Sequence, residues 1–220
     1  MINKLYDVHN NLKFVDKKLL KQEIPEQLMA FKHLRKDDVV LELGGSIGRN
    51  TCVISSILND SRNLVTIEPN VNEIINLKKN RDLNNFKFHI ERNVLSKQPL
   101  YSLNWYTYID KRPNSVKVNN ITWPQLKAKY DLDFNVLIVD NEGNFVSTIK
   151  DYPNILNGIR MIIIEHDFNS NEDLHYFYDV MKKHKFQITD KYMKSDKYGP
   201  GKNWSDGVRS DDIFVSVWEQ

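Results

Sequence analysis

The chain contains a single cysteine, Cys52, in 220 residues. An internal disulfide framework is therefore excluded, and a lone thiol fits a reducing compartment. No apolar run is long enough to span a bilayer, and the stretch Met1–Asp7 lacks the apolar core of a signal peptide. The expectation is a cytoplasmic protein without a membrane span. Charge of one sign is also lacking: the net charge is +2. The basic residues are dispersed, and Lys182-Lys183-His184-Lys185 reads as a solvated helix end. On that ground nucleic acid is not expected as a partner. Repeats, linkers and low-complexity tracts are absent as well, so residues 1–220 are expected to form one domain.

Glycine is scarce, eight residues in all, and three fall together in Val40-Leu41-Glu42-Leu43-Gly44-Gly45-Ser46-Ile47-Gly48-Arg49-Asn50-Thr51. An apolar strand ends there in an acid. A glycine turn follows, then a helix with Val53, Ile54, Ile57 and Leu58 on one side. Such a turn lets backbone approach a ligand, and the next helix presents free N–H groups. Leu64-Val65-Thr66-Ile67-Glu68 is a second strand ending in an acid, about one strand-helix-strand unit later. A carboxylate at that place can accept hydrogen bonds from a ribose diol. Together these features predict a nucleoside-cofactor site.

The rest of the chain alternates strands and helices. Residues up to about 35 predict a helical lead-in, with Pro25 at a helix start and Leu28, Phe31 and Leu34 at helical spacing. Further strands are predicted around Phe86–Ile90, Phe134–Val139, Arg160–Ile164, Phe186–Met193 and Ile213–Trp218. Asn70 with Glu73, and Ser170 with Asp173, resemble capping boxes opening helices. Leu174, Phe177, Tyr178 and Met181 form the core stripe of the later helix. The segment Lys97–Asn120, with Tyr101, Trp105, Tyr106 and Tyr108, departs from the alternation and predicts short strands or loops beside the site. A Gly/Pro-bearing loop at 194–212, with Tyr198, Trp204 and Arg209, is expected near the acceptor side. The fold class expected is α/β: a doubly wound, mostly parallel sheet of about seven strands with helices on both faces. Ligands of such sheets bind beyond the carboxyl ends of the strands. Glu42, Glu68, Asp140 and Glu165 all stand at strand ends.

A dinucleotide fingerprint needs G-x-G-x-x-G, but Ser46 stands where its middle glycine belongs. Glu42 would also face a pyrophosphate unfavourably. S-adenosylmethionine carries an ammonium and a sulfonium and no phosphate, so an acid before the turn suits it better than NAD. Val40 to Gly48 resembles the first motif of class I methyltransferases, and Ile67-Glu68-Pro69 their second. Val136-Leu137-Ile138-Val139-Asp140-Asn141-Glu142-Gly143 resembles the D-x-E-G signature of FkbM-type methyltransferases. Ile121-Thr122-Trp123-Pro124 upstream and Ile162-Ile163-Ile164-Glu165-His166 downstream agree with that family's order, although Trp123 stands where it has an Asp. The resemblance covers roughly residues 35 to 190. It implies a Rossmann-like methyltransferase sheet whose last strand is antiparallel, and methyl transfer from S-adenosylmethionine to a hydroxyl of a sugar, in a glycan or glycoconjugate, or of a related natural-product acceptor.

On this reading Glu42 orients the methionine end of the cofactor, and Gly44, Gly45, Ser46 and Gly48 shape the loop. Asn50 stands at the helix entry, Glu68 holds the ribose and Asn93 meets the adenine. Activation of the acceptor needs a base or a metal. Asp140, Glu142, Glu165 and His166 are the candidates. Two arrangements stay open: Mg²⁺ or Mn²⁺ held by Asp140, Glu165 and His166, or His166 as a metal-free base. Asp140 can also contact cofactor. An N-methyltransferase, a non-catalytic cofactor-fold subunit and an NAD-dependent oxidoreductase are the alternative functions. The Asp/Asn-Pro-Pro-Tyr/Phe signature of many N-methyltransferases is absent after Val139.

Overall fold

The computed structural model of the protein describes residues 1–195 and 213–220. It opens with helices α1 (Ile2–Asn11), α2 (Lys17–Leu20) and α3 (Ile24–His33), and Pro25 lies in the first turn of α3. Strand β1 (Val40–Leu43), helix α4 (Arg49–Ile57), strand β2 (Leu64–Ile67), helix α5 (Val71–Leu83) and strand β3 (His89–Glu91) follow in alternation. Next come β4 (Val94–Leu95), β5 (Leu100–Leu103), β6 (Tyr106–Tyr108), β7 (Val116–Val118) and β8 (Asn120–Ile121). Helix α6 (Trp123–Tyr130), strand β9 (Val136–Val139), helix α7 (Phe145–Asp151), strand β10 (Met161–Glu165) and helix α8 (Asn171–Lys183) continue the alternation. Strands β11 (Gln187–Met193) and β12 (Ile213–Glu219) complete it.

Seven strands form one sheet in the order β11-β12-β10-β9-β1-β2-β3. The pairs from β10 to β3 are parallel, and β12 runs antiparallel between β10 and β11. This is the doubly wound α/β sheet that the alternation predicts, with one antiparallel strand near its edge. Successive strand residues point to opposite faces, and each face has its own core. Leu41, Leu43, Leu137, Val139, Ile162 and Ile164 pack with Leu126 of α6, Phe145 and Ile149 of α7, and Phe177 and Met181 of α8. Val40, Leu64, Val136, Ile138 and Ile163 pack on the other side with Ala30 of α3, Ile54 of α4 and Leu77 of α5. Each fully buried Leu, Ile or Phe contributes roughly 1.5–3 kcal/mol, which makes these two layers the principal stabilising feature of the sheet. Cys52 is buried with Leu5, Leu20 and Val53. Its thiol is pushed up by burial, and it serves packing.

Helix caps explain several boundaries. Asn70 accepts the Asn72 N–H at the start of α5, but Glu73 turns away to accept the Ser46 hydroxyl at 3.3 Å, so the predicted box is half made. Ser170 accepts the Asp173 N–H, while the Asp173 carboxylate pairs with Lys150. The complete capping box lies at Thr122 and Gln125, opening α6.

The segment 97–120 resolves into structure that sequence periodicity only outlined. Strands β4 and β8 pair in parallel and pin the two ends of the insertion together. Between them β6-β5-β7 form a small antiparallel sheet, a flap beside the carboxyl ends of the central strands. The hairpin β5-β6 turns at Asn104, whose φ of 56° is left-handed. No helix among the described residues is long and apolar enough to cross a membrane. The loop expected near the acceptor, with Tyr198, Trp204 and Arg209, lies outside the described residues.

Candidate functional site

The turn between β1 and α4 crosses the carboxyl edge of the sheet. Gly44 has φ +96°, and a Cβ there would stand 1.6 Å from the Asp140 carbonyl oxygen. Only glycine permits this approach of β1 to the end of β9. Ser46 also adopts a positive φ, 44°, and its N–H donates to Glu68 Oε2 at 2.7 Å. Glu68 Oε1 accepts the Asn70 N–H at 2.7 Å. The carboxylate ending β2 therefore ties the turn to the start of α5. Burial pushes Glu68 up to about 7, with neighbouring Glu73 adding to it.

A cavity of about 290 Å³ opens here, close to the lower size of small-molecule sites, ~300 Å³. Its wall includes Gly44, Ser46 and Glu68, then Asp140, Asn141, Glu142 and Asn144 beyond β9. Leu43, Ile67, Pro69, Val94 and Leu95 supply apolar surface. The flap closes one side through Leu100, Ser102, Asn104, Trp105 and Thr107. Glu23 and Arg49, which the sequence reading missed, also stand on the wall. Arg49 Nη1 donates to Glu23 Oε1 at 2.8 Å and to Ser46 Oγ at 3.2 Å. The wall thus carries four carboxylates, Glu23, Glu68, Asp140 and Glu142, and one guanidinium.

The other residues expected at the cofactor lie beneath or beside the wall. Glu42 faces the α4 side of the sheet with Val40, 2% exposed, and accepts the Thr51 hydroxyl at 2.6 Å. Burial pushes its carboxyl up to about 7. It braces the turn from below. Gly45 packs against Thr66 and Gly48 against Leu77. Asn50 turns its Oδ1 into the interior. The Asn93 N–H donates to Glu91 at 2.9 Å, leaving Val94 and Leu95 on the wall.

Among the candidate catalytic acids, Asp140 and Glu165 share a hydrogen bond. Burial and then Glu165 hold the Asp140 carboxyl well above the usual carboxylate range. A third acid, Asp167, joins them. Burial, then Asp140 and Glu142, push it up to about 8, and it accepts the Gly143 N–H at 2.7 Å. That contact fixes the 141–144 turn, where Gly143 has φ +79° and a Cβ would meet Asn169 and the Asp167 carbonyl at 2.7 Å.

His166 does not join this group. Strand alternation sends it to the face opposite Glu165 and Asp167. Its Nε2 lies 2.6 Å from Ser216 Oγ, and its ring meets Phe168 and Tyr178 edge-on. It is 1% exposed. The metal set Asp140, Glu165 and His166 is therefore not assembled. Among the described residues no group of three or more His, Cys, Asp or Glu is placed to hold a metal ion.

No protein-family model matches the chain, and no curated protein matches it in sequence. Solved structures do match the fold. A ribosomal protein L11 methylase from Lactobacillus delbrueckii subsp. bulgaricus is similar with TM-score 0.51 and 10% identity, over 96% of this chain and 82% of that one. An O-methyltransferase from Bacillus cereus, in complex with S-adenosylhomocysteine, has TM-score 0.50 and 15% identity, over 99% and 90%. A candidate tRNA (m1A22) methyltransferase from Streptococcus pneumoniae, in complex with S-adenosylmethionine, has TM-score 0.50 and 10% identity, over 88% and 71%. The chain therefore has the class I methyltransferase fold. These likenesses overturn the expectation of a sugar acceptor without nucleic acid, since one neighbour is described by a tRNA activity and another by a ribosomal protein. The physical reason lies in the averaging of charge. A net +2 over the whole chain says nothing about local fields.

Proposed function

We propose that the protein is an S-adenosylmethionine-dependent methyltransferase whose cofactor lies between the Gly44–Gly48 turn and the flap. The observation that carries this reading is the wall itself: four acids and Arg49 around apolar surface at the carboxyl edge of a parallel sheet. That donor set suits a ligand with an ammonium, a sulfonium and a carboxylate, and it opposes a pyrophosphate. Gly44 lets the turn lie against the Asp140 carbonyl, which brings the ends of β1 and β9 together at the cavity wall.

When bound, S-adenosylmethionine supplies a sulfonium methyl group that passes to an acceptor lone pair while the C–S bond electrons return to sulfur. The chain's residues then have separable tasks. Glu68 accepts from the ribose hydroxyls, and Arg49 pairs with the methionine carboxylate. Glu23 and Asp140 face the ammonium. Val94, Leu95 and Pro69 enclose the adenine, and Trp105 with Leu100 excludes water from the reacting centre. Asp140 and Glu142 are the wall carboxylates available to take the acceptor's proton, with Glu165 and Asp167 adjusting Asp140 from behind. Glu42, Gly45, Gly48 and Asn50 set the turn. The Asp140–Gly143 segment is a loop that Asp167 holds through the Gly143 N–H.

The buried acids give this reading a pH signature. Glu68 is protonated below about 7 in the free protein. A cationic ligand favours its ionised form, so binding releases protons and tightens as pH rises. S-adenosylmethionine carries one more positive charge than S-adenosylhomocysteine. Calorimetric titration between about pH 6 and pH 8 should show the ratio of their affinities shifting toward S-adenosylmethionine. Tighter binding of NAD than of either, or no binding of either, would sink the proposal.

A further inference from the structure

The flap has two unlike faces. Alternation along β5 and β6 puts Leu100, Ser102 and Thr107 on the cavity side, where they line it. Tyr101, Leu103, Tyr106, Tyr108 and Lys117 belong to the opposite face, with Tyr101 in register between Tyr108 and Lys117. Burial does not explain this outer face. Tyr101, Leu103 and Tyr108 are half-buried, but Tyr106 is 43% exposed, and Lys117 and Ile109 beside it are exposed. Tyr106 and Tyr108 lie 6.4 Å apart with ring planes inclined by only 33°, and the Arg112 guanidinium stacks 3.6 Å from the Tyr108 ring. Trp105, at the hairpin tip, lines the cavity mouth and is still 60% exposed.

The charge is local as well. Residues 97–120 carry Lys97, Lys111, Arg112 and Lys117 against the single acid Asp110, a larger positive excess than that of the whole chain. Lys97 is paired with Asp151, which leaves Lys111, Arg112 and Lys117 as the exposed cations. Neighbouring aromatic rings on one face, interleaved with cations, suit stacked bases and phosphates. An acidic peptide would match the charge but would leave the ring faces unexplained. Chemistry on a base within such a cavity requires that base to leave its stack, so the target is an unstacked base.

We propose that the flap docks a single-stranded stretch of nucleic acid, one unstacked base meeting Trp105 at the cavity mouth and its neighbours lying on Tyr106, Tyr108, Arg112 and Lys117. This rests on the methyltransferase reading, because it names the acceptor of that same cavity.

The test uses the full chain and an end-labelled RNA of about 16 nucleotides, as single strand and as duplex, followed by fluorescence anisotropy. The single strand should bind at least about tenfold tighter than the duplex. Its log affinity should fall with log salt at a slope of about −2, for three phosphate contacts. Trp105→Ala should weaken binding roughly 5- to 150-fold while Trp105→Phe restores most of it, as stacking requires. Arg112→Glu with Lys117→Glu, on the solvent side of the flap, should abolish binding with thermal melting unchanged. Equal affinity for duplex, unchanged binding in these variants, or preference for a polyglutamate peptide would overturn the inference. S-adenosylhomocysteine titration of the same wild-type sample separates the two levels. Cofactor binding without RNA binding refutes this inference alone, and absence of cofactor binding refutes the reading beneath it.

Discussion

Gly44 and Glu42 show how much one residue carries at this site. A Cβ at Gly44 would collide with the Asp140 carbonyl and would sit at φ +96°. Gly44→Ala should therefore separate the ends of β1 and β9, weaken S-adenosylhomocysteine binding more than about tenfold and cost roughly 1–3 kcal/mol of stability. Calorimetry and urea unfolding check both, and an unaffected affinity would contradict the cradle. Glu42 predicts a pH effect away from the cavity wall. Its native carboxyl holds a proton up to about 7, against an ordinary value of 4.5. Between those two pH values the native state binds more protons than the unfolded chain, so stability falls as pH rises through the window, by on the order of 3 kcal/mol. Glu42→Gln removes that contribution and should make the fall from about pH 4.5 to about pH 7 shallower, with Glu68 and Asp167 supplying the slope that is left. Parallel wild-type and variant curves would show that burial does not raise the Glu42 carboxyl above its ordinary value. His166 teaches the complementary lesson. Sequence proximity joined it to Glu165, but a period of two sends adjacent residues to opposite faces, and the acid two positions on, Asp167, is the one that joins the site.

Elements were legible where their pattern was strong. Apolar runs such as Val136–Val139 and Met161–Glu165 are buried and read directly as central strands. The flap was not legible as a sheet. Its strands are only three or four residues long and half-exposed, so no burial alternation marks them. Its order, β6-β5-β7, comes from hairpin geometry and from the β4–β8 pairing at its base. Immediately after β8, the Thr122–Gln125 capping box fixes the start of α6 and so the exit path of the flap. Thr122→Ala should cost about 1 kcal/mol, measured by urea unfolding. A loss near zero would mean that Pro124 and packing of Trp123 alone set this helix start.

At the scale of the whole molecule, doubly wound topology gathers residues distant in sequence at one sheet edge. The Gly44–Gly48 turn and Glu68 could be found in advance because each follows directly from a strand end. Glu23 and Arg49 could not, since Glu23 reaches the wall only through the packing of the N-terminal helices and its ion pair with Arg49. Acceptor chemistry was the least legible part. Net charge averages over the surface, while the flap segment carries four cations against one acid beside its aromatic residues. The central claim, that this cavity holds S-adenosylmethionine, is tested most directly by a crystal structure of the protein with S-adenosylhomocysteine. Electron density for the ligand is predicted between the Gly44–Gly48 turn and the flap, with its ribose hydroxyls on Glu68 and its carboxylate at Arg49. A cavity left empty at saturating ligand, or density at another site, would contradict the account.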